Sequence, residues 1–440
     1  MYIGLIGFNS IEYIEKILDI WNEGNCVVLL DVDLPYSSLL FFLNEFSISK
    51  CFVDDKYADI NMLSNNEKII LFPFHSTYRE TKYVPATIYR KYKPSFSKDN
   101  AIVVFSSGTT GNYKGIILSH YAISTNADMI AASMELNDND GLYIVKKLSH
   151  SSTIVGELLV ALRRGIKILI GSNALIPRII FSNINEYMIS IICINPSILS
   201  LFNRYLQSNT NIYASLKKIF VSGDLLNEAS LNYIRQRLKQ SSVFNMYGLS
   251  EAGPRVSMQN KYYCSKNSVG VPLNKVKIRI IDEQGCVCGV GKKGLIYVCS
   301  PSKFSGYISN RIMINDEWIN TGDIGYFDKN GELYIVNRLN DLIIIDSHKV
   351  YPADVESTIM KCVNISNCAV FCKYNYVTKK SELVCAYEGD EISANKVIEV
   401  LRLHLINYEI PKKFIRVSTI PINSNGKRDM QLLKKRIDGD

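Results

Sequence analysis

An α/β fold with layered, mainly parallel sheets, a β-rich annex and a small α+β unit at its C-terminal end is the class this sequence predicts. Three observations lead there. Short β-branched runs alternate with amphipathic segments up to about residue 265, the pattern of strand–helix–strand crossovers. Strand-like runs joined by glycine turns follow. After a charged connector, Arg338-Leu-Asn-Asp341, the chain returns to mixed α and β character. The organisation expected is one large unit over 1–340, with a β-rich subdomain at about 265–340, and a C-terminal unit over 341–440.

The elements follow in order. Ser10 is placed to cap a helix over 12–24. Strands are expected at 68–72 and 101–106, then a helix over 120–134. Helical spacing recurs at 157–164, 196–208 and 228–240. Between these lie the apolar runs 167–171, 190–194, 218–222 and 243–246, which read as buried strands. In the annex, strands are expected at 276–282, 294–298 and 332–337, with turns at Gln284-Gly285 and Asn330-Gly331. No internal repeat or low-complexity segment is evident.

Composition narrows the function classes. Of 440 residues, 47% are hydrophobic and 21% charged, enough apolar material for a core and too much for a disordered chain. No apolar run approaches the roughly 20 residues a spanning helix needs, and the N-terminus has no signal-peptide pattern, so the expected address is the cytoplasm. Eleven scattered cysteines and five dispersed histidines lack zinc-site spacing and read as reduced, mostly buried thiols. The formal charge of +8 is not gathered into a basic stripe with interleaved aromatics, so nucleic acid is not expected as a partner. Mild positive charge suits an anionic ligand or an acidic carrier protein.

Four segments carry chemistry. Phe105-Ser-Ser-Gly-Thr-Thr-Gly-Asn-Tyr-Lys-Gly115 follows an expected strand. Its glycines permit close backbone approach, and its hydroxyls and Lys114 suit phosphate oxygens. It does not match the Walker A spacing, and a surface turn is the plain alternative. Asn245-Met-Tyr-Gly-Leu-Ser-Glu251 offers Tyr247 for stacking, Ser250 as a donor and Glu251 as a magnesium ligand, against a strand-end turn with a solvated glutamate. Thr321-Gly-Asp323 presents an aspartate suited to ribose hydroxyls, or one that merely caps a turn. Asn425-Gly-Lys427 alone says almost nothing.

In this order and at these separations the four segments resemble the adenylate-forming superfamily of acyl-CoA synthetases, aryl-CoA ligases and nonribosomal adenylation domains, over nearly the whole chain. Weaker echoes agree: Ser222-Gly-Asp224, Ser268-Val-Gly-Val-Pro272 and Tyr351-Pro-Ala-Asp-Val-Glu356. The resemblance implies a large adenylation domain, a mobile α+β lid after a hinge at Asp341, and an ATP site between them. It implies an ATP- and Mg²⁺-dependent carboxylate ligase that forms an acyl-adenylate, then a thioester on coenzyme A or a carrier-protein phosphopantetheine. By the resemblance, Ser106, Ser107, Gly108, Thr109, Thr110, Gly111 and Lys114 hold the β- and γ-phosphates. Ser250 contacts the α-phosphate and Glu251 the Mg²⁺. Tyr247 packs on adenine, with Gly223, Asp224, Asn245 and Gly248 around it. Asp323 and Arg338 hold the ribose, and Lys427 bridges the acid and the α-phosphate. His150 and Ser152 belong to the acid pocket.

Several positions depart from the family pattern. Tyr113 stands for the usual proline of the phosphate loop. Ser347 takes the glycine place in the loop implied to line the thiol tunnel, and Ile344 a common lysine place. Met1–Ser10 already resembles the family's first strand-to-helix junction, so much of the usual leading segment is expected to be missing. Relatives that activate α-amino acids carry an aspartate five residues before the glutamate of this stretch. Ser152 takes that place before Glu157, which favours a plain acyl or aryl acid. Partners expected are a small carboxylic acid and, for a dedicated pathway, a separate acyl or peptidyl carrier protein. The competing expectation is a catalytically degenerate nucleotide-binding or interaction protein of the same fold.

Overall fold

A computed structural model describes residues 1–440 except 35, 58–62, 64–68, 108–112, 172–174, 210, 212, 224–225, 227, 309–315, 346–347, 376–379, 423–427 and 440. Two large sheets dominate it. One runs, edge to edge, Gly306–Tyr307, Tyr113–Ser119, Asn100–Ser107, Cys26–Leu30, Tyr2–Ile6, Lys50–Asp54 and Ile70–Phe74. Its central strands are parallel, and Cys26–Leu30 is buried along its whole length, as a strand covered on both faces must be. The other runs Val271–Pro272, Arg255–Met258, Ser242–Gly248, Lys218–Val221, Ile191–Ile194, Gly141–Ile144, Lys167–Ile170 and Lys82–Tyr83. Its five central strands, from Ser242–Gly248 to Lys167–Ile170, are parallel.

The crossover helices start where capping chemistry starts them. Ser10 Oγ accepts from Tyr13 N at 3.0 Å and opens the helix Ile11–Asn22, which buries Tyr13, Ile14, Ile17 and Leu18 on one face. Ser119 caps His120–Ser133 by accepting from Ala122 N at 3.1 Å. Asn195 caps Pro196–Ser208, with proline at the first helical position where no amide is needed. The expected helix at 157–164 begins earlier: Ser151–Thr153 is already helical, and Ile154–Leu159 winds in wider π turns before Val160–Arg164 resumes the α form. Its polar start, Ser151-Ser152, hides the helical period from a hydrophobicity pattern.

The annex is a four-stranded antiparallel sheet in the order Lys277–Ile281, Gly294–Cys299, Ile319–Phe327, Leu333–Arg338. The third strand was not expected. Thr321-Gly-Asp323 reads as a turn because Gly322 does take a left-handed conformation, φ 71°. Thr321 Oγ1 accepts from Asp323 N at 3.0 Å, so the kink is contained within a continuing strand. Farther on, a hairpin pairs Ile343–Ile345 with His348–Val350, and a sheet of Asn367–Asn375, Lys380–Glu388 and Lys413–Arg416 packs with helices Pro352–Cys362, Ala394–Leu401 and Met430–Gly439. Val350, Val355, Ile359, Leu383, Cys385 and Leu401 form a core cluster of their own there.

All eleven cysteines are unpaired; five are buried, four half-buried, and Cys264 and Cys286 exposed, so burial is less general than expected. Among the described residues no helix is long and apolar enough to cross a membrane.

Candidate functional site

The C-terminal ends of parallel strands form crevices where ligands bind in open α/β sheets. Here that edge carries Gly223, just beyond Lys218–Val221, and Tyr247-Gly248, ending Ser242–Gly248. Gly223 has φ 115°, a conformation that disfavours any side chain. Gly248 is required for another reason: a Cβ there would lie 2.0 Å from the carbonyl oxygen of Pro254. The glycine lets strand Arg255–Met258 turn back against its neighbour.

Three side chains from three strands converge beside this edge. Tyr247 Oη donates to Asp323 Oδ2 at 2.6 Å, and Arg338 Nε donates to Asp323 Oδ1 at 2.9 Å. Strand register sets the second contact, since Asp323 and Arg338 are directly paired across the annex sheet. Asp323 is 5% exposed, so its charge is neutralised mainly by Arg338. Burial opposes the charge on Arg338, but Asp323 outweighs it and holds the guanidinium above its ordinary range. Burial and then Asp323 push the Tyr247 phenol well above its usual value, so it remains a donor.

A second group surrounds Glu251. Ser250, Glu251 and Ala252 form a single tight helical turn. Ser250 Oγ lies 2.7 Å from Ser151 Oγ, tying this turn to the helix that starts at Ser151. Tyr307 Oη donates to Glu251 Oε1 at 3.1 Å, and Lys114 Nζ sits 5.2 Å above the Tyr307 ring. Burial, then Glu251, push the Tyr307 phenol upward, keeping it protonated. Tyr307 thereby joins Lys114, at the foot of the Ser/Thr/Gly loop, to the Glu251 carboxylate.

The remaining expected residues divide. Ser106 and Ser107 end the strand Asn100–Ser107, opposite Lys114 and Tyr113. Gly108, Thr109, Thr110, Gly111, Asp224, Ser347 and Lys427 lie outside the described residues. The Asn245 side chain is buried in the framework: its amide donates to the Ser268 carbonyl at 3.1 Å and its Oδ1 accepts from Met246 N at 3.0 Å. His150 Nε2 lies 3.5 Å from Asp31 Oδ2, in a group where Lys147 and Ser149 also bind Asp31. Ser152 is half-buried on the helix Ser151–Thr153. Asp341 ends the short turn Leu339–Asp341 that follows Arg338. Sequence reasoning missed Ser151 and Tyr307. Ser151 lies within the serine run around His150; nothing in the local pattern singles out Tyr307.

The chain belongs to the AMP-binding enzyme family, whose model matches residues 2–308. It is 25% identical to zwittermicin A synthase ZmaJ of Bacillus cereus over 98% of this chain and 84% of that protein. It is 27% identical to 4-coumarate:CoA ligase 1 of Petunia hybrida over 78% of this chain and 66% of that protein. The 2-succinylbenzoate–CoA ligase of Bacillus licheniformis is 27% identical over 75% and 68%. Among solved structures, the O-succinylbenzoate coenzyme A synthetase of Bacillus subtilis with ATP and magnesium superposes with a TM-score of 0.82 at 21% identity, covering 98% of this chain and 89% of that one. ATP-bound MatB from Rhodopseudomonas palustris gives 0.86 at 21% identity, over 99% and 88%. By class the chain is an AMP-forming acid–thiol ligase.

Proposed function

We propose that this chain joins ATP to an acyl or aryl carboxylic acid, releasing pyrophosphate, and passes the acyl group from the adenylate to a thiol, releasing AMP. The thiol is that of coenzyme A or a carrier-protein phosphopantetheine. One observation carries the reading: Tyr247, Asp323 and Arg338 meet at bonding distance beside the strand edge that also bears Ser250 and Glu251.

The chemistry suits such a site. The acid is ionised at neutral pH, so its attack on the α-phosphate needs no general base. The chain's task is to hold two anions together and stabilise charge that moves during transfer. Asp323 keeps unused lone pairs on both oxygens after binding Tyr247 and Arg338, and these suit ribose hydroxyls. Tyr247, held through its hydroxyl, offers a ring face to adenine. Ser250 contacts the α-phosphate. Lys114, with the loop 106–111, takes the outer phosphates, and Lys427 completes the charge around the acid and α-phosphate.

Glu251 fits a magnesium ion: it is a hard oxygen ligand with one oxygen bonded to Tyr307 and the other carrying no bond among the described residues. Magnesium, when bound, supplies charge neutralisation on the phosphates. The chain's own part is to fix the carboxylate through Tyr307. The turn Leu339–Asp341 is the proposed hinge between a domain over 1–340 and a lid over 341–440, and His150 and Ser152 border the acid.

Release of AMP, not ADP, dependent on both an acid and a thiol is the test. Coenzyme A and a phosphopantetheinylated carrier run in parallel distinguish the acceptors. ATP binding with no AMP release under any acid and thiol would favour a degenerate nucleotide-binding protein.

A further inference from the structure

Five buried polar atoms without a hydrogen-bond partner lie on one helix and one strand, both joined to the Ser250–Glu251 turn. They are Thr153 Oγ1, both carboxylate oxygens of Glu157, Arg255 Nε and Ser257 Oγ. The four residues are 0, 0, 3 and 0% exposed. Thr153 and Glu157 lie about one turn apart on the helix that begins at Ser151. Arg255 and Ser257 lie on the strand Arg255–Met258, which bulges between them: Ser257 pairs with Tyr247 and Arg255 with Gly248, so the two do not share a face. The Arg255 guanidinium reaches the helix at Gly156, where a Cβ would stand 3.3 Å from Nη2. Asn126 fixes the backbone beneath it, accepting from Arg255 N and donating to Arg255 O, both at 3.0 Å.

The charges do not balance. Lys146 Nζ forms an ion pair with Glu157 Oε1 at 2.9 Å, so one carboxylate faces two cations, Lys146 and Arg255. Burial, opposed by Cys193 and Glu157, leaves the Arg255 guanidinium below its ordinary range. Burial, opposed by Lys146 and Arg255, leaves the Glu157 carboxyl above its own. A buried surplus positive charge with idle donors is costly to the fold unless an anion joins it. A purely structural cluster would have its donors and acceptors matched. Wide π turns inside a helix, as at Ile154–Leu159, are frequent where a helix is shaped around a ligand.

The position says which ligand. Ser151, at the head of the same helix, touches Ser250. Arg255 follows Glu251 by four residues and pairs with Gly248 across the strands. Both contacts place Arg255 and the helix from Ser151 beside the turn that carries Ser250 and Glu251.

We propose that Arg255, with the Thr153 hydroxyl, binds a second anionic group at the far end of the acid, so that the substrate is a dicarboxylic acid or an equivalent bearing a second anion. This rests on the ligase reading above. Nε and one terminal nitrogen of Arg255 form the side-on fork that pairs with a carboxylate through two bonds. Glu157 stays with Lys146 and holds that cation in place.

The test uses matched pairs on the full chain: pentanoate against glutarate, and benzoate against phthalate and its isomers. Each acid is measured by calorimetric binding and by ATP–pyrophosphate exchange. The wild type favours a diacid over its monoacid by at least about tenfold, and Arg255→Met lowers that ratio roughly 10- to 150-fold, the range for one charged hydrogen bond. Arg255→Lys recovers part of the preference, and Glu157→Gln keeps or raises it; circular dichroism confirms that each variant is folded. A wild type that takes monoacids as well as diacids overturns the inference, as does a folded Arg255→Met with an unchanged ratio. Binding of neither class also overturns it. Exchange without diacid preference leaves the ligase reading intact and removes this one. Diacid-selective binding without exchange does the reverse.

Discussion

Replacing Asp323 with asparagine tests the nucleotide site with almost no change of shape. Tyr247 and Arg338 each address a different oxygen of Asp323, at 2.6 and 2.9 Å. An amide at 323 keeps one acceptor, so one partner meets an NH₂ group and the guanidinium loses its counter-charge. A charge-assisted hydrogen bond contributes about 1.5–3 kcal/mol, which corresponds to roughly 10- to 150-fold in affinity. The ribose loses its anionic acceptor at the same time, so this range is a lower bound for ATP. Titration calorimetry with ATP and magnesium measures it directly, beside a melting curve for each protein. Asp323→Asn should remain folded and bind ATP at least about tenfold more weakly. A folded variant with a dissociation constant within about twofold of wild type would refute the role given to Asp323.

Two other outcomes follow from local geometry. Gly248→Ala places a Cβ 2.0 Å from the Pro254 carbonyl oxygen and should cost about 1–3 kcal/mol, with loss of adenylation. Gly289→Ala, whose Cβ would meet nothing within 4 Å, serves as the unaffected control in the same melting assay. Asp31 is partly desolvated, which raises its pKa, but Lys147 and His150 outweigh this and hold it below the ordinary carboxylate value. Its folded value is therefore below the unfolded value of about 3.9. The stabilisation is complete above that value and disappears as pH falls through the folded one. The melting gap between wild type and Asp31→Asn should be largest near pH 7 and shrink below about pH 4; a gap that widens in acid would contradict this.

Much of the fold was legible because its signals are local. Ser10 and Asn195 cap the helices they precede, and the apolar runs at 190–194 and 218–222 are buried strands. Legibility failed where chemistry departs from periodicity. The helix from Ser151 begins with two serines, and the strand Ile319–Phe327 contains a left-handed glycine that imitates a turn. In the site, the aligned motifs already named Tyr247, Asp323 and Arg338, and strand register brings the last two together. Asn245 is expected near the nucleotide, and its amide donates to the Ser268 carbonyl, a contact that local sequence does not announce. Tyr307 and Arg255 were missed because each gains its meaning from residues about 50 to 190 positions away, Glu251 and Lys114 for one and Gly156 and Glu157 for the other. Only tertiary packing makes those contacts.

The central claim is that this chain forms acyl-adenylates. ATP–pyrophosphate exchange with pooled short, medium and long fatty acids, aryl acids, hydroxy acids, diacids and amino acids tests it most directly, with Lys427→Ala alongside. Acid-dependent exchange with an acyl or aryl pool, reduced about 10²–10³-fold or more in Lys427→Ala, is the expected result, the scale of losing one oriented charge stabiliser. No exchange with any pool, from folded protein that binds ATP, would contradict the account.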